Sequence, residues 1–426
     1  MPWWQKLILV FKDRQLRNKI LFVLAMLAVF RFAASVPVLA VDTAKLKDVF
    51  GSTQALGLLD LFVGGTLSNM SIVMLGLGPY ITSTIIMQLL TMIFPQLERM
   101  YKEEGEEGRQ KINKYSRLLT VPLAAVQSFS MLLLLQKRGA ITSLTSFQTT
   151  ISVLTVTGGS VFLMWLGELI SEKGIGNGVS LLIFAGILAR TPVETYQFIT
   201  SRSTADIPAS LFFFAVALAI IAGVVFVTEA RRNIPVSYAK RIRGHRVYGG
   251  ASTYLPININ PAGVIPIIFA LSILVFPSMI AGFFAGGGGA LANFMGLVVA
   301  FLQNPWVYGV LFFFLVVLFT FFYTAVTFDP KAISNNLQKM GGFIPGIRPG
   351  ERTAQFLHKI LYRILFVGAL FLGTIAVLPS IIQGATDVGQ FQFLIGGTAL
   401  LIVVSVVLDT WRQVRSQMEM REYESF

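Results

Sequence analysis

GLLDLFVGGTLSN, residues 57–69, is the stretch on which the reading of the whole chain turns. It is apolar, it is broken by Gly64 and Gly65, and it is too short to cross a bilayer, which takes a helix of about 20 apolar residues. The segment directly after it, 71–94, is long enough. A half-length apolar piece feeding a full-length one either folds back into the membrane or lies along its surface as an amphipathic helix. The residues of 57–69 alone weigh the two readings equally.

The composition supports the membrane setting. The chain has 426 residues, 54% of them hydrophobic and 13% charged, with a mean hydropathy of +0.71. Soluble domains carry roughly 25% charged residues. The N-terminal run MPWWQKLILVFKDRQLRNK mixes Trp, Lys and Arg, reads as an interfacial helix, and lacks the small-residue site of a cleaved signal peptide. The absence of cysteine rules out disulfides, thiol catalysis and cysteine-ligated metal.

Ten segments have the length and apolarity of spanning helices: 20–39, 71–94, 118–135, 151–170, 178–199, 211–228, 262–284, 307–328, 361–378 and 391–408. With the N-terminus in the cytoplasm, 27 of the 34 Lys and Arg fall in cytoplasmic segments, 6 fall in external loops, and Arg31 lies inside the first span. This strong positive-inside asymmetry places both termini in the cytoplasm. The net charge of +13 is therefore mainly topological, and it leaves ribosomal RNA as the one nucleic-acid contact to consider. Ten spans divide into five plus five at the loop TSRSTADIPAS (200–210), and an odd number per half forces inverted topology, as in many transport proteins. No sequence repeat is visible.

The motifs exclude several chemistries. No GxxxxGK[ST] cradle for ATP is present, and GEEGRQK (105–111) is not one. GIGNG (174–178) follows no strand and reads as a turn opening a membrane helix. His245 and His358 both lie in cytoplasmic loops, so no nucleophile–base pair or metal cluster forms within the membrane. Catalytic residues, cofactors and metals are accordingly not expected. Inside the spans the charges are Arg31 and Glu168, whereas ion-coupled transporters keep several ionisable groups near the midplane. Arg31 reads as paired with a carbonyl or a partner helix ahead of a substrate site.

Four spans are loosened near one end: Gly76, Gly78 and Pro79 in the second, GIGNG in the fifth, Gly263 and Pro266 in the seventh, and Gly396 with Gly397 in the tenth. Singly, each is an ordinary packing or kink device. Together, from both halves, they point to a shared irregular zone around a cavity. Two long loops, RRNIPVSYAKRIRGHRVYGGASTYLPININ (231–260) and KAISNNLQKMGGFIPGIRPGERTAQ (331–355), are basic and rich in Tyr, Pro and Gly. Lipid headgroup contact accounts for the charge. Their length and their aromatic content point to structured surfaces able to dock a large partner.

GPYITSTIIMQLL, EEGEEGRQKINKYSR, WLGELISEKGIGNGVSLLIFAGI, HRVYGGASTYLP and GGFIPGIRPGERT, in this order and over essentially the whole chain, resemble the SecY family of protein-translocation channels. The resemblance implies an all-α membrane protein of ten transmembrane helices in two pseudo-symmetric halves, residues 1–200 and 201–426. A re-entrant half-helix at 57–69 would plug the channel, with Leu58, Leu59, Leu61, Phe62, Val63, Gly64, Gly65 and Leu67 as its plug residues. The implied pore ring is Leu77, Ile81, Val179, Ile183, Ile268 and Ile402, all aliphatic. The side gate is expected at Gln88, Gln127 and Phe276, between the second, third, seventh and eighth spans.

Docking loops 231–261 and 329–358 would present Arg348, Arg246, His245, Arg243, Arg241 and Lys240 to a motor or ribosome. Relatives usually carry two arginines after Gly244, and His245 in the first of these positions weakens the expected contact. The implied partners are SecE as a clamp, SecG, the SecA ATPase, the ribosome, SecDF, YidC, membrane lipids and signal-bearing polypeptides, in the cytoplasmic membrane of a bacterium. Two rival readings are a secondary transporter of inverted-repeat type, disfavoured by the scarcity of membrane carboxylates, and an intramembrane protease, disfavoured by the lack of a catalytic dyad.

Overall fold

The computed structural model describes residues 13–38, 60, 63–137, 139, 141, 144–200, 207–238, 241–243, 246–248, 252–284, 290–386 and 397–424. Each of the ten candidate spans falls on a helix. The first is α1, Arg14–Ser35, started by the Asp13 carboxylate, which accepts from the Gln15 N–H at 2.9 Å. The chain leaves α1 extended at Val36, and the Pro37–Ser71 bridge then ties 36–38 to 70–72. That tie closes the stretch between them into a loop. Residues 72–77 form turns, so the second span becomes helical only at α2, Gly78–Ile93, with Pro79 in its first turn.

Pro95 lacks an N–H and disfavours helix at Phe94 before it, and α3, Pro95–Lys102, leaves α2 at 105°. α4, Gly105–Lys137, carries Pro122 within it. α5, Ser146–Lys173, opens on a Thr145–Gln148 capping box. α6, Gly178–Thr200, and α7, Ile207–Glu229, complete the first six spans. The remaining four are α8 (Ile265–Phe284), α10 (Pro305–Thr327), α12 (Glu351–Thr386) and α13 (Gly397–Glu424). Between α8 and α10 lies α9, Ala290–Gln303, a helix that the span count did not anticipate.

Among the described residues five helices are long and apolar enough to cross a membrane, and the bent pair α2–α3 makes a sixth. Gly178–Ala189, Ala215–Glu229 and Ile265–Leu274 are shorter apolar helical stretches. Large apolar side chains stand exposed around the outside, among them Leu24, Phe32, Leu154, Phe226, Leu297, Phe314 and Phe366. In water such a surface would drive aggregation; against lipid tails it is matched. α4 packs on α2, α5 and α8, α10 lies between α8 and α12, and α13 joins α6, α7 and α12.

The two long loops fold into a small sheet and helix, an addition to the all-α bundle. β1 (Arg231–Tyr238) pairs antiparallel with β4 (Ser252–Asn258), Ile234 opposite Leu255. Between them β2 (Arg241–Arg243) and β3 (Arg246–Tyr248) form a separate hairpin. The outer partner of β1 comes from the other loop: β5, Gly342–Phe343, pairs with Ser237 and Tyr238. The period-two pattern of β1 buries Ile234 and Val236 against Ile257, Leu337, Ile344, Leu357 and Leu361. Leu337 belongs to α11, Pro330–Lys339, capped by Asp329. The loops read separately in the sequence are thus one body with its own apolar core.

Candidate channel constriction and gate

The loosened helix starts are where the expected ring residues stand. Gly76, Gly176 and Gly263 take left-handed backbone, φ +56°, +89° and +63°, just before α2, α6 and α8. At Gly76 the requirement is double, because a Cβ there would lie 2.6 Å from a methyl of Val63. Asn177 then caps α6 through its side-chain oxygen, which accepts from the Ser180 N–H at 3.1 Å. Leu77 is the residue before α2 and Ile81 lies in its first turn, with the Ile81 N–H donating to the Leu77 carbonyl at 2.9 Å. Val179 and Ile183 lie in the opening turns of α6, Ile268 in the first turn of α8, and Ile402 in the second turn of α13.

All six belong to one apolar cluster. Leu77, Ile183, Ile268 and Ile402 are buried, while Ile81 and Val179 are partly open. The four elements of this arrangement come from different parts of the chain, so the structure converges what the sequence scatters. The cluster is larger than the six and includes Ile85, Ile187, Val264, Ile267, Leu271 and Val406.

The described part of the opening stretch is a chain of turns, with helix at Asp60; Leu58, Leu59, Leu61 and Phe62 lie outside the described residues. Gly64 and Gly65 take φ +76° and +79°. A Cβ on Gly64 would lie 2.6 Å from Gly186 Cα, so the stretch touches α6 backbone to backbone. The Asp60 carboxylate accepts from the Ser68 N–H at 3.0 Å and its carbonyl accepts from the Gly65 N–H at 2.8 Å, which pins the turns. Leu67 is wholly buried with Met70, Met74, Met131, Leu132, Leu135 and Val156, and Val63 packs at the edge. The stretch is therefore seated on α4 and α5 as well as α6.

At the expected side gate, α8 packs against both α2 and α4. Gln127 on α4 is buried, and Gln88 on α2 is part-buried with its side-chain oxygen unpartnered. The backbone of Phe276 is in α8, and its side chain lies outside the described residues. Phe269 of α8 meets Phe319 and Tyr323 of α10 edge-on, centroids 5.9 and 6.1 Å apart.

On the loop body Arg348 is exposed, in a turn after Gly346 (φ +82°), and its carbonyl accepts from the Thr353 hydroxyl at 2.9 Å. The backbone of Arg241, Arg243 and Arg246 forms the β2–β3 hairpin, with Arg243 opposite Arg246. Lys240 and His245 lie outside the described residues. Around α3 and the start of α4 charges are paired locally. The hydrogen bond from Lys102 holds the Glu98 carboxyl below its ordinary range, and Glu104 and Glu107 hold the Lys111 ammonium above its own.

The two charges within the spans behave differently. Arg31 is exposed on α1. Glu168 of α5 accepts from Arg117 Nε of α4 at 2.7 Å, a partner the sequence did not indicate because the two lie on separate helices. Among the described residues no cluster of His, Cys, Asp and Glu fit for a metal occurs.

Comparison with known proteins agrees with this architecture. The SecY family profile matches residues 71–411. The chain is 43% identical to the protein translocase subunit SecY of Corynebacterium glutamicum, covering 98% of both chains. It is 42% identical to that of Thermotoga maritima, covering 99% of this chain and 97% of the other. Its fold matches a solved protein conducting channel with a TM-score of 0.65 at 18% identity, over 93% of this chain and 91% of that one. A SecY structure solved to study its plug domain matches at 0.64 and 20% identity, over the same shares.

Proposed function

The chain belongs to the SecY family and is a multi-pass, protein-conducting channel, and from that premise we propose how its passage is built. Leu77, Ile81, Val179, Ile183, Ile268 and Ile402 form the constriction. Aliphatic side chains at a narrow point exclude water and ions by dewetting, and they yield to a passing chain because they form no directional bonds. The observation that carries this reading is the gathering of all six into one apolar cluster at the glycine-broken starts of α2, α6, α8 and at the start of α13. The seated stretch around Gly64 closes the passage on the side away from the loop body. Unfolded secretory polypeptides cross through the ring.

Apolar segments leave sideways where α2 and α4 meet α8 and α10, past Gln88, Gln127 and Phe276. Apolar burial in lipid drives that exit. Forward motion comes from a partner on the loop body, the SecA ATPase or a ribosome, through Arg348 and the arginines of the β2–β3 hairpin. SecE clamps the two halves, 1–200 and 201–426, with SecG, SecDF and YidC as accessory partners, in a bacterial cytoplasmic membrane with both termini cytoplasmic. The pairing of Glu168 with Arg117 leaves no free carboxylate at that point for ion coupling, which favours a passive channel over a secondary transporter.

The chain has no cysteine, which makes the test direct. An Ile81→Cys variant is oxidised against a stalled secretory chain bearing one cysteine. A mixed disulfide that requires a signal sequence and a motor or ribosome places the chain in the ring. Its absence, while cysteines in the loops still react, removes Ile81 from the path.

A further inference from the structure

Three consecutive residues of α13 reach both halves of the molecule. Arg412 turns to α7: its Nε and Nη2 donate to Glu229 Oε1 at 3.0 and 2.7 Å, and Nη2 also donates to the Thr228 carbonyl at 2.8 Å. Gln413 turns to the GIGNG turn between α5 and α6: its Oε1 accepts from the Gly176 N–H at 2.7 Å. Val414 is buried with Ile175 of the same turn and Leu16 of α1, and Ile20 and Met418 pack around them. Residues 1–200 and 201–426 are thereby joined by the Gln413–Gly176 hydrogen bond and by the Val414 apolar contact, while Arg412 ties α13 to α7 within its own half.

The gate seam is built otherwise. There Ile85 and Leu89 of α2 and Leu271 and Leu274 of α8 share the common apolar core, and α4 also packs on α8. Lipid tails are as apolar as leucine, so such a seam resists separation weakly, whereas the directional contact at Gln413, on a helix that Arg412 ties to α7, resists it. The joint also bears on the ring. Gly176 precedes the Asn177 cap of α6, which carries Val179 and Ile183 in its first turns, and α13 carries Ile402 about 15 Å along its axis from Arg412.

We propose that Gln413 and Arg412 are positioning residues: Gln413, with Val414 beside it, forms the fixed pivot on which the two halves turn when the channel opens, Arg412 braces α13 against α7 within its own half, and the two set the distance between Val179 and Ile183 on one half and Ile402 on the other. This rests on the ring and gate reading given above. Gln413 recognises the turn through a backbone N–H that only a left-handed glycine presents in this direction, so its acceptor oxygen is the feature that matters, not its bulk.

The test uses the full chain in its translocation complex in vesicles. Ile175→Cys with Val414→Cys is closed by oxidation or a short bis-maleimide. Transport of a normal secretory substrate at the rate of the reduced form supports a pivot that stays shut. Loss of transport on closure, or failure of the pair to cross-link, overturns it. Gln413→Leu should raise export of a signal-defective substrate about fivefold, the factor corresponding to one lost neutral hydrogen bond, and Gln413→Glu, which keeps an acceptor, should restore the low level. Equal export by Gln413→Leu and the parent overturns the role of Gln413. The parent's own Ile81 cross-link, measured alongside, reports separately on the ring reading.

Discussion

At the scale of single residues, the proposed ring and the seated stretch rest on different physics. The proposed ring holds by what its side chains lack. Replacing Ile268, which is 9% exposed, with Asn buries an amide without a partner, a cost of about 1–3 kcal/mol to the closed state. Ile81 is partly open, so Ile81→Asn costs the closed state less. Both variants should export signal-defective substrates above the parent level, Ile268→Asn the more. Unchanged export would mean that the ring does not set the closed-state stability. Gly64 works instead through its backbone. Gly64→Ala forces a Cβ into left-handed φ, which costs about 1–2 kcal/mol, and drives it onto Gly186 Cα. Resting vesicles carrying Gly64→Ala should conduct ions measurably more than parent vesicles in planar-bilayer recordings.

At the scale of elements, the stretch 57–69 and the helix it feeds are one device. The turns of 63–77 delay the start of α2 to Gly78, which places Leu77 and Ile81 at a helix beginning rather than along a continuous span. Deleting 58–67 removes the seat contacts of Val63, Gly64, Gly65 and Leu67 together, and should leave the resting channel leaky to small ions in the same recordings. Conductance equal to that of the parent would show that the stretch does not seal it. Much of this element was legible beforehand, because glycine and proline act locally: the breaks at Gly76, Gly176 and Gly263 follow from residues adjacent in the chain. The Arg117–Glu168 pair was not legible, since it depends on how α4 and α5 are packed.

At the scale of the molecule, the loop body is the largest departure from what the chain displays. β5 pairs Phe343 with Ser237, so the loops after α7 and after α10 make one folded unit. Arg348 projects from that unit, exposed, two residues after the left-handed Gly346. Arg348→Glu reverses a charge that no described contact uses for folding. It should abolish motor-driven transport while membrane insertion and expression stay normal, read by protease protection of a secretory substrate and by yield of the assembled complex. Transport equal to the parent's would remove Arg348 from the coupling face.

The sequence by itself determined the ten apolar segments and the places where helices break, and it carries the charge asymmetry from which their orientation is expected. Those follow from hydropathy over about 20 residues, from the placement of Lys and Arg, and from the backbone freedom of glycine, all of which act over short distances along the chain. The tertiary structure alone decided that six scattered aliphatic residues share one cluster, that Gly64 lies on Gly186, that two remote loops make one sheet, and that Gln413 meets Gly176. Each of these is a contact between segments far apart in the chain. No local propensity encodes such a partner, and only the packing of whole helices brings the two sides together.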